Sequence, residues 1–311
     1  ELLTPAPGTH SLTPDPAFTL AVDRWSDIDT PPQDLLLDAR GAVLFRETSK
    51  VSPAWEAEAK GRVLFPKVTA RDGFPLEAML VLPVGFDPSR KYPVFQYVYG
   101  GPNSPQVRNA WNRNMAWYQF LAQQGIATFI CDNRSAAAKG TTAHRVRGNL
   151  GALELEDLLD GLAWLRGQGW ADMDRIALDG YSYGGFMTAY ALTRSRAWKI
   201  GIVGAPVTDW RLYDCYYTER YMGLPRDNPE GYEASSCLKA AAGLQAKVLL
   251  VHGTLDTNVH LQNSVMFLDA LQKAGKDAQV TLLPGSDHSP RAARHAYALH
   301  QATWAFLKAN L

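Results

Sequence analysis

The sequence predicts an α/β fold with a doubly wound, mostly parallel sheet, preceded by a short β-rich segment. After residue 56, apolar runs of strand length alternate with helical segments, which is typical of βαβ units. Before residue 55, short alternating segments are separated by turn residues such as Gly41, which is typical of antiparallel strands. Hydrophobic residues make up 46% of the 311 residues, enough for a large core. We therefore expect a β-rich segment over 1–55 and an α/β domain over 56–311.

The predicted elements follow one another in chain order. The β-rich segment has expected strands at 18–22, 35–38 and 43–46. A hairpin over the turn Arg71-Asp72-Gly73 opens the α/β part. Buried strands are then predicted at 94–99, 126–131, 175–178, 200–204, 247–252 and 279–283, and helices at 111–124, 155–165, 182–194, 263–274 and 290–311. In such sheets the active residues lie just beyond the carboxyl ends of the strands.

Composition excludes several classes of protein. Lys and Arg number 31, as do Asp and Glu, and this balance argues against nucleic acid or an anionic membrane surface as a partner. No stretch of about 20 apolar residues is present, so no membrane span is expected. Cys131, Cys215 and Cys237 are too few for a disulfide framework, although one pairing stays open. Because the sequence starts at Glu1, we expect a cut or processed piece, and its start does not indicate a compartment.

The motif with the clearest chemistry is Gly180-Tyr181-Ser182-Tyr183-Gly184. Gly-x-Ser-x-Gly is a weak signal alone, but here a predicted strand precedes it and a predicted helix follows it. This is the context of the nucleophile elbow in the α/β-hydrolase fold, where the serine sits on a strained turn. Ser182 is therefore predicted to be the nucleophile of a serine hydrolase with that fold.

A serine nucleophile needs a base, and the base needs an acid to hold it. His288 follows the last predicted strand and is the expected base, and Asp256 follows the preceding strand and is the expected acid. His252, at a strand end, is interpreted as a packed, hydrogen-bonded residue. The remaining candidates are less suited because they lie on helices, at the surface or on a tight loop: His260, His295, His300, Asp269, Asp277 and Asp287.

The oxyanion of a serine hydrolase needs hydrogen-bond donors. The backbone N–H of Tyr183 is one expected donor, since it follows the nucleophile. The second is expected from the loop that begins at Tyr99, which contains Gly100 and Gly101. No His-Glu-x-x-His motif and no phosphate-binding glycine loop occur in the sequence, so no metal or organic cofactor is expected.

Several motifs together resemble the catalytic half of the prolyl oligopeptidase family, and most closely its dipeptidyl peptidase IV branch. The resemblance spans about residues 67–311. It rests on segments at Val98–Pro102 and Gly180–Gly185, on Trp210, Tyr213 and Asp214, and on segments at Tyr217–Pro225 and His252–His260.

The resemblance implies a role for each matching residue. Ser182, Asp256 and His288 match the family's triad, and Tyr99 matches a tyrosine whose hydroxyl completes the oxyanion hole. Asn258 matches a residue that hydrogen-bonds a substrate carbonyl. The lining of a pocket for a proline ring is matched by Tyr183, Val207, Trp210, Tyr213, Tyr217 and Val259. Ordinary core packing is the alternative interpretation of the aromatic run.

The implied activity is that of a serine peptidase that releases Xaa-Pro dipeptides from peptides with proline at the cleaved position. The alternatives are a broader acyl-aminoacyl peptidase or esterase, and an inactive fragment that needs a missing β-propeller. Residues 1–50 resemble the last strands of that propeller, so a homodimer or association with a propeller segment is expected. A periplasmic or secreted location is implied by the resemblance alone.

Two departures from the family pattern accompany the resemblance. Arg134 is followed by Ser135 and three alanines where the family has Arg-Gly-Ser or Arg-Gly-Thr, so this loop is expected to take another shape. The propeller that carries the acidic pair for the substrate's free N-terminus is almost wholly missing, and no residue here is assigned that role.

Overall fold

The computed structural model describes residues 3–112, 114–137 and 139–311. Four antiparallel strands come first: β1 Thr9–Pro14, β2 Leu20–Ser26, β3 Gln33–Asp38 and β4 Val43–Thr48. The expected β-rich segment is therefore a four-stranded meander. Strand β1 was not predicted, because its sequence contains Pro14 and all but one of its residues are exposed, which leaves no apolar alternation to detect.

The second sheet is the predicted α/β sheet. Its strands are β5 Val63–Leu64, β6 Lys67–Thr69, β7 Pro75–Val81, β8 Tyr92–Tyr97, β9 Ala127–Cys131, β10 Ala171–Tyr181, β11 Ile200–Gly204, β12 Lys247–Gly253 and β13 Gln279–Leu283. Their spatial order is β5-β7-β9-β8-β10-β11-β12-β13, with β6 paired to β7. The pairs from β9 onward are parallel, whereas β7 is antiparallel to its neighbours.

Helices cover both faces of this sheet. They are α1 Pro53–Ala57, α2 Met115–Gln123, α3 Ala152–Gly167, α4 Tyr183–Arg194, α5 Cys215–Met222, α6 Pro229–Ser235, α7 Gln262–Lys273 and α8 Ala293–Asn310. Neighbouring strand residues point to opposite faces, so Val94 packs with the α3 and α4 side and Phe95 with the α2 and α8 side. The predicted doubly wound α/β-hydrolase fold is confirmed.

Two predicted helices begin three or four residues later than the sequence suggested. Helix α2 starts at Met115 rather than at 111, because the Asn112 side chain accepts the N–H of Asn114 in a turn that precedes the helix. The predicted helix also included residue 113, which lies outside the described residues. Helix α8 starts at Ala293 rather than at 290, after a turn in which Arg291 N–H donates to Ser289.

The start of the loop after Arg134 is anchored by ion pairs of the Arg134 side chain. Arg134 is buried, and its guanidinium pairs with Asp157 at 2.6 Å and with Asp72 at 2.6 Å. The hydrogen bonds that Arg134 donates to Asp157 and Asp72 raise the pKa of Arg134, so the cation persists at every ordinary pH. Residue 138, the last alanine of the predicted variant loop, lies outside the described residues.

The β-rich segment is hydrogen-bonded to Asn109, in the loop between β8 and α2. Thr9 Oγ1 donates to the Asn109 carbonyl at 3.0 Å, and Ile28 N–H donates to Asn109 Oδ1 at 3.0 Å. The predicted boundary near residue 55 falls within the short helix α1. The three cysteines are free, with Cys131 buried as expected. Among the described residues, no helix combines the length and the apolar character needed to cross a bilayer.

Candidate active site

Ser182 lies on a sharp turn between β10 and α4. Its φ of 63° falls in the left-handed region, which is costly for a residue with a side chain. The turn is possible because Gly180 and Gly184 carry no Cβ: one added at Gly180 would strike the Gly184 carbonyl, and one at Gly184 would strike the Val98 carbonyl. The Ser182 N–H donates to the Gly204 carbonyl at 2.9 Å, which anchors the turn to β11. These contacts hold Ser182 in its strained conformation at the end of β10.

His288 and Asp256 come to Ser182 from two other strand ends. His288 follows β13, and its Nε2 lies 2.9 Å from Ser182 Oγ. Asp256 follows β12, and its Oδ2 lies 2.7 Å from His288 Nδ1. The three side chains therefore form a continuous hydrogen-bonded chain in the order serine, histidine, aspartate. The sequence predicted all three residues, and the structure brings them together.

The Asp256 carboxylate is held by more than His288. Its Oδ1 accepts the backbone N–H groups of Asn258 and Val259, at 3.0 and 2.9 Å. Burial alone would raise the pKa of Asp256, but the hydrogen bonds from His252 and His288 outweigh it and hold the pKa well below the usual range. Asp256 therefore remains ionised and can stabilise a positively charged imidazole.

His252 has a connection to the site that sequence reasoning missed. It is packed and hydrogen-bonded, as interpreted: Nδ1 contacts Ser264 Oγ at 2.8 Å and Nε2 contacts the Val259 carbonyl at 2.8 Å. Its Nε2 also lies 3.2 Å from Asp256 Oδ2. The only signal in the sequence was its position four residues before Asp256. The loop between His252 and Asp256 folds back, so that Asp256 Oδ2 lies next to both His252 and His288.

Two groups that could donate to the predicted oxyanion lie next to Ser182. Tyr183 is the first residue of α4, so its N–H has no partner within the helix. Tyr99 follows β8 and contacts Ser182. Burial raises the pKa of Tyr99, and the Ser182 contact opposes this only in part. The Tyr99 hydroxyl therefore keeps its proton and can donate it in a hydrogen bond.

The predicted substrate-binding aromatics form one cluster beside Ser182. Trp210 stacks on Tyr217 with centroids 6.0 Å apart, and it lies 5.5 Å from the ring of Tyr183. Tyr213 packs edge-on against Tyr217, and its hydroxyl donates to Asn258 Oδ1 at 2.9 Å. Tyr213 and Asn258 line the open cavity, and Tyr217 is half-buried. Beneath them, four predicted pocket residues are buried: Tyr183, Val207, Trp210 and Val259.

Glu154 is a second residue that sequence reasoning missed. It lies in the first turn of α3, is 1% exposed, and accepts the Tyr183 hydroxyl at 2.8 Å. Burial raises the pKa of Glu154 to about 7, against the lowering effect of the bond from Tyr183. Because the hydroxyl is tied to a carboxyl 29 positions away, the ring of Tyr183 has a fixed orientation. Within the described ranges, no group of three or more histidine, cysteine or acidic side chains is arranged to hold a metal ion.

Comparison with known proteins gives consistent relatives. The sequence profile of the prolyl oligopeptidase family matches residues 112–311. A probable dipeptidyl-aminopeptidase B of Sclerotinia sclerotiorum is 38% identical over 232 residues, which are 73% of this chain and 25% of that protein. A protein of the same description from Coccidioides posadasii is 34% identical over 296 residues, 92% of this chain and 32% of that protein.

The solved structures agree with the sequence comparison. Dipeptidyl peptidase 4 of Porphyromonas gingivalis superposes with a TM-score of 0.93 and 32% identity, covering 99% of this chain and 44% of that one. The chain thus spans about a third or less of the curated relatives' length and less than half of this structure. With the profile covering well over half of its residues, the chain belongs to the prolyl oligopeptidase family.

Proposed function

We propose that this chain is a serine peptidase that cleaves peptides after proline and releases N-terminal dipeptides through an acyl-enzyme on Ser182. The observation that carries the proposal is the hydrogen-bonded chain of Ser182, His288 and Asp256, at 2.9 and 2.7 Å, beside a cluster of aromatic rings. The names of the relatives, dipeptidyl-aminopeptidase B and dipeptidyl peptidase 4, support the dipeptidyl specificity.

Acylation uses the three side chains in order. Ser182 Oγ attacks the carbonyl carbon of the proline while His288 Nε2 accepts the hydroxyl proton. The imidazolium is stabilised by Asp256, whose carboxylate stays ionised. His288 then passes the proton to the nitrogen of the leaving amine, and the C–N bond breaks. Water resolves the acyl-enzyme by the same proton transfers in reverse.

The charge that develops on the substrate oxygen is stabilised by two donors. The Tyr183 N–H lies at the start of α4, where the helix also contributes a favourable dipole. The Tyr99 hydroxyl remains protonated because burial raises its pKa. Removing one donor of this kind typically costs about 10²–10³-fold in kcat.

Recognition of proline is assigned to the aromatic cluster. Flat rings favour a compact apolar ring, and proline has no N–H that would need a partner. Tyr213 and Tyr217 are the half-buried members, so they would contact the substrate directly. Tyr183, Val207, Trp210 and Val259 would form the floor on which these rings rest. Asn258, held by Tyr213, would donate its amide N–H to a substrate carbonyl.

To test the proposal, the full chain is assayed with three chromogenic compounds: Ala-Pro-p-nitroanilide, Ala-Ala-p-nitroanilide and p-nitrophenyl acetate. We expect kcat/KM for Ala-Pro to exceed that for Ala-Ala by at least tenfold. Hydrolysis of the ester without hydrolysis of Ala-Pro would instead support the broader peptidase or esterase. No turnover of all three would support the inactive fragment.

Association with a propeller segment is also proposed. The β4 strand is exposed along its whole length, and Phe45 is 61% exposed. An open edge with apolar side chains is a site at which further strands or a neighbouring sheet can pack. The relatives are about two to three times as long as this chain, which supports a further segment large enough to be a propeller. A homodimer is the other predicted assembly, and light scattering of the full chain would separate the two.

A further inference from the structure

A cavity of about 660 Å³ begins at Tyr213 and Asn258, at the edge of the aromatic cluster, and extends past Ser182. One end is formed by the catalytic side chains and Tyr99. The other end lies between the sheet and helices α2 and α8, and its wall contains Tyr97, Trp117, Tyr118, Asp179 and His300. The proposed mechanism uses only the first end.

Asp179 is the unusual group in this deeper end. It lies on β10, three residues before Ser182, and no described residue hydrogen-bonds to or forms an ion pair with its carboxylate. Burial alone raises the pKa of Asp179 to about 7. Asp179 is partly exposed to the cavity, and a poorly solvated carboxylate without a partner gains by meeting a cation. The cavity therefore offers a positive group a site that the described residues leave unfilled.

The surroundings of Asp179 suit a long basic side chain. The rings of Trp117 and His300 stack with centroids 4.7 Å apart, and Tyr97 and Tyr118 lie on the same wall. Aromatic faces attract cations and pack against apolar side-chain stems. Arg291 also lines the cavity, but it lies on the exposed loop after His288, where solvent and salt screen its charge.

The position of His288 indicates which part of a substrate enters this cavity. The leaving amine must lie next to His288 Nε2 to receive its proton, and the following residues Ser289 and Pro290 line the cavity. The aromatic cluster on the opposite side is occupied by the acyl part in the proposed function. The peptide released by cleavage therefore extends towards Asp179. Asp179 precedes Ser182 by three residues, which corresponds to about 10 Å along an extended strand. A lysine side chain on one of the first three residues of the released peptide can reach across this distance.

We propose that Asp179 makes the enzyme prefer peptides with lysine or arginine within the first three residues after the cleaved bond. This inference rests on the proposed function for the direction of the substrate. It assigns the specificity to one carboxylate, since Asp179 is the acidic residue that lines the deep end of the cavity. The site would bind the side chain of the leaving peptide and would take no part in the chemical step.

The test measures binding without turnover. Amidated peptides Ala-Pro-Lys-Ala-Ala, Ala-Pro-Ala-Lys-Ala and Ala-Pro-Ala-Ala-Lys are titrated into the Ser182→Ala chain by calorimetry, each beside its norleucine counterpart. We expect at least one lysine peptide to bind about tenfold more tightly than its norleucine counterpart, as for a hydrogen bond to a charged group. Adding Asp179→Asn should abolish that difference. Asp174→Asn, an exposed aspartate on the same strand, should leave it intact.

Equal binding of every lysine and norleucine pair would overturn the inference, as would a preference that survives Asp179→Asn. Either result leaves the proposed function standing if Ala-Pro-p-nitroanilide is cleaved, because that substrate has no peptide after the cleaved bond. Conversely, a lysine preference that depends on Asp179 in a chain that cleaves no substrate would support the site and contradict the proposed function.

Discussion

The two sides of Ser182 are built in opposite ways. On the aromatic side, Tyr183 and Trp210 are packed into the core, and the Tyr183 hydroxyl is satisfied by Glu154. On the cavity side, Asp179 has no partner among the described residues, and the Tyr181 hydroxyl is buried without one. The first side can recognise its ligand by shape, since its rings are fixed. We expect the second to recognise its ligand by charge, since Asp179 has no partner among the described residues, whereas the unpartnered polar atom of the first side, Trp210 Nε1, is neutral.

The largest expected effect concerns Asp256, a member of the triad that lies between the two sides. Asp256→Asn should lower kcat for Ala-Pro-p-nitroanilide by about 10⁴-fold, because an amide cannot hold His288 in the tautomer that accepts the serine proton. Steady-state kinetics measure the loss. Asp269→Asn, an exposed aspartate on α7, serves as the control and should retain activity. A loss below tenfold at Asp256 would contradict its role.

The next effect tests the oxyanion site. Tyr99→Phe keeps the ring but removes the hydroxyl donor, and should lower kcat by about 10²–10³-fold with little change in KM. The reason is that the hydroxyl would act on the charge that forms only in the transition state. Tyr216→Phe, at a tyrosine that is 84% exposed, is the matched control. A change confined to KM would show that Tyr99 binds the ground state instead.

A matched pair of tyrosines tests the difference between the two sides directly. Tyr183→Phe should destabilise the fold by about 1–3 kcal/mol, because it leaves the buried Oε1 of Glu154 without its donor, while Oε2 keeps the Gly151 N–H. Tyr181→Phe should be neutral or slightly stabilising, because it removes a buried hydroxyl that no described residue satisfies. Urea unfolding measures both. Equal effects would mean that the two sides do not differ in this respect.

The smallest effect is a change in pH dependence. Burial raises the pKa of Glu154 from 4.5 to about 7, so its contribution to stability is fully present below about pH 4.5 and is lost as pH rises through 7. Glu154→Gln removes this titration. The melting temperature of the variant relative to the original chain should therefore be higher at pH 8 than at pH 5. A difference that is the same at both pH values would contradict a buried, titrating Glu154.

The nucleophile turn could be predicted from sequence because its determinants are local. Gly180 and Gly184 stand at fixed positions around Ser182, and the strand and helix around them have clear periodicity, although the Val98 carbonyl that Gly184 packs against lies far away in the sequence. His288 and Asp256 could be predicted because the loops that carry them follow recognisable buried strands. These relations depend on chain order and strand direction alone.

The remaining features of the site depend on packing between distant segments. The bond between Tyr183 and Glu154 joins residues 29 positions apart, and nothing in either segment indicates it. The contact of His252 with Asp256 depends on the shape of one loop. Asp179 reads as an ordinary residue at a strand end, and its isolation becomes visible only when α2 and α8 enclose the cavity.

The central claim is that Ser182 is an activated nucleophile, and covalent labelling tests it most directly. The full chain is treated with a fluorophosphonate probe and mapped by peptide mass spectrometry, beside the Ser182→Ala variant with its fold checked by circular dichroism. We predict one adduct, on Ser182, that is absent from the variant. No adduct, or an adduct that persists on another residue in the variant, would contradict the claim.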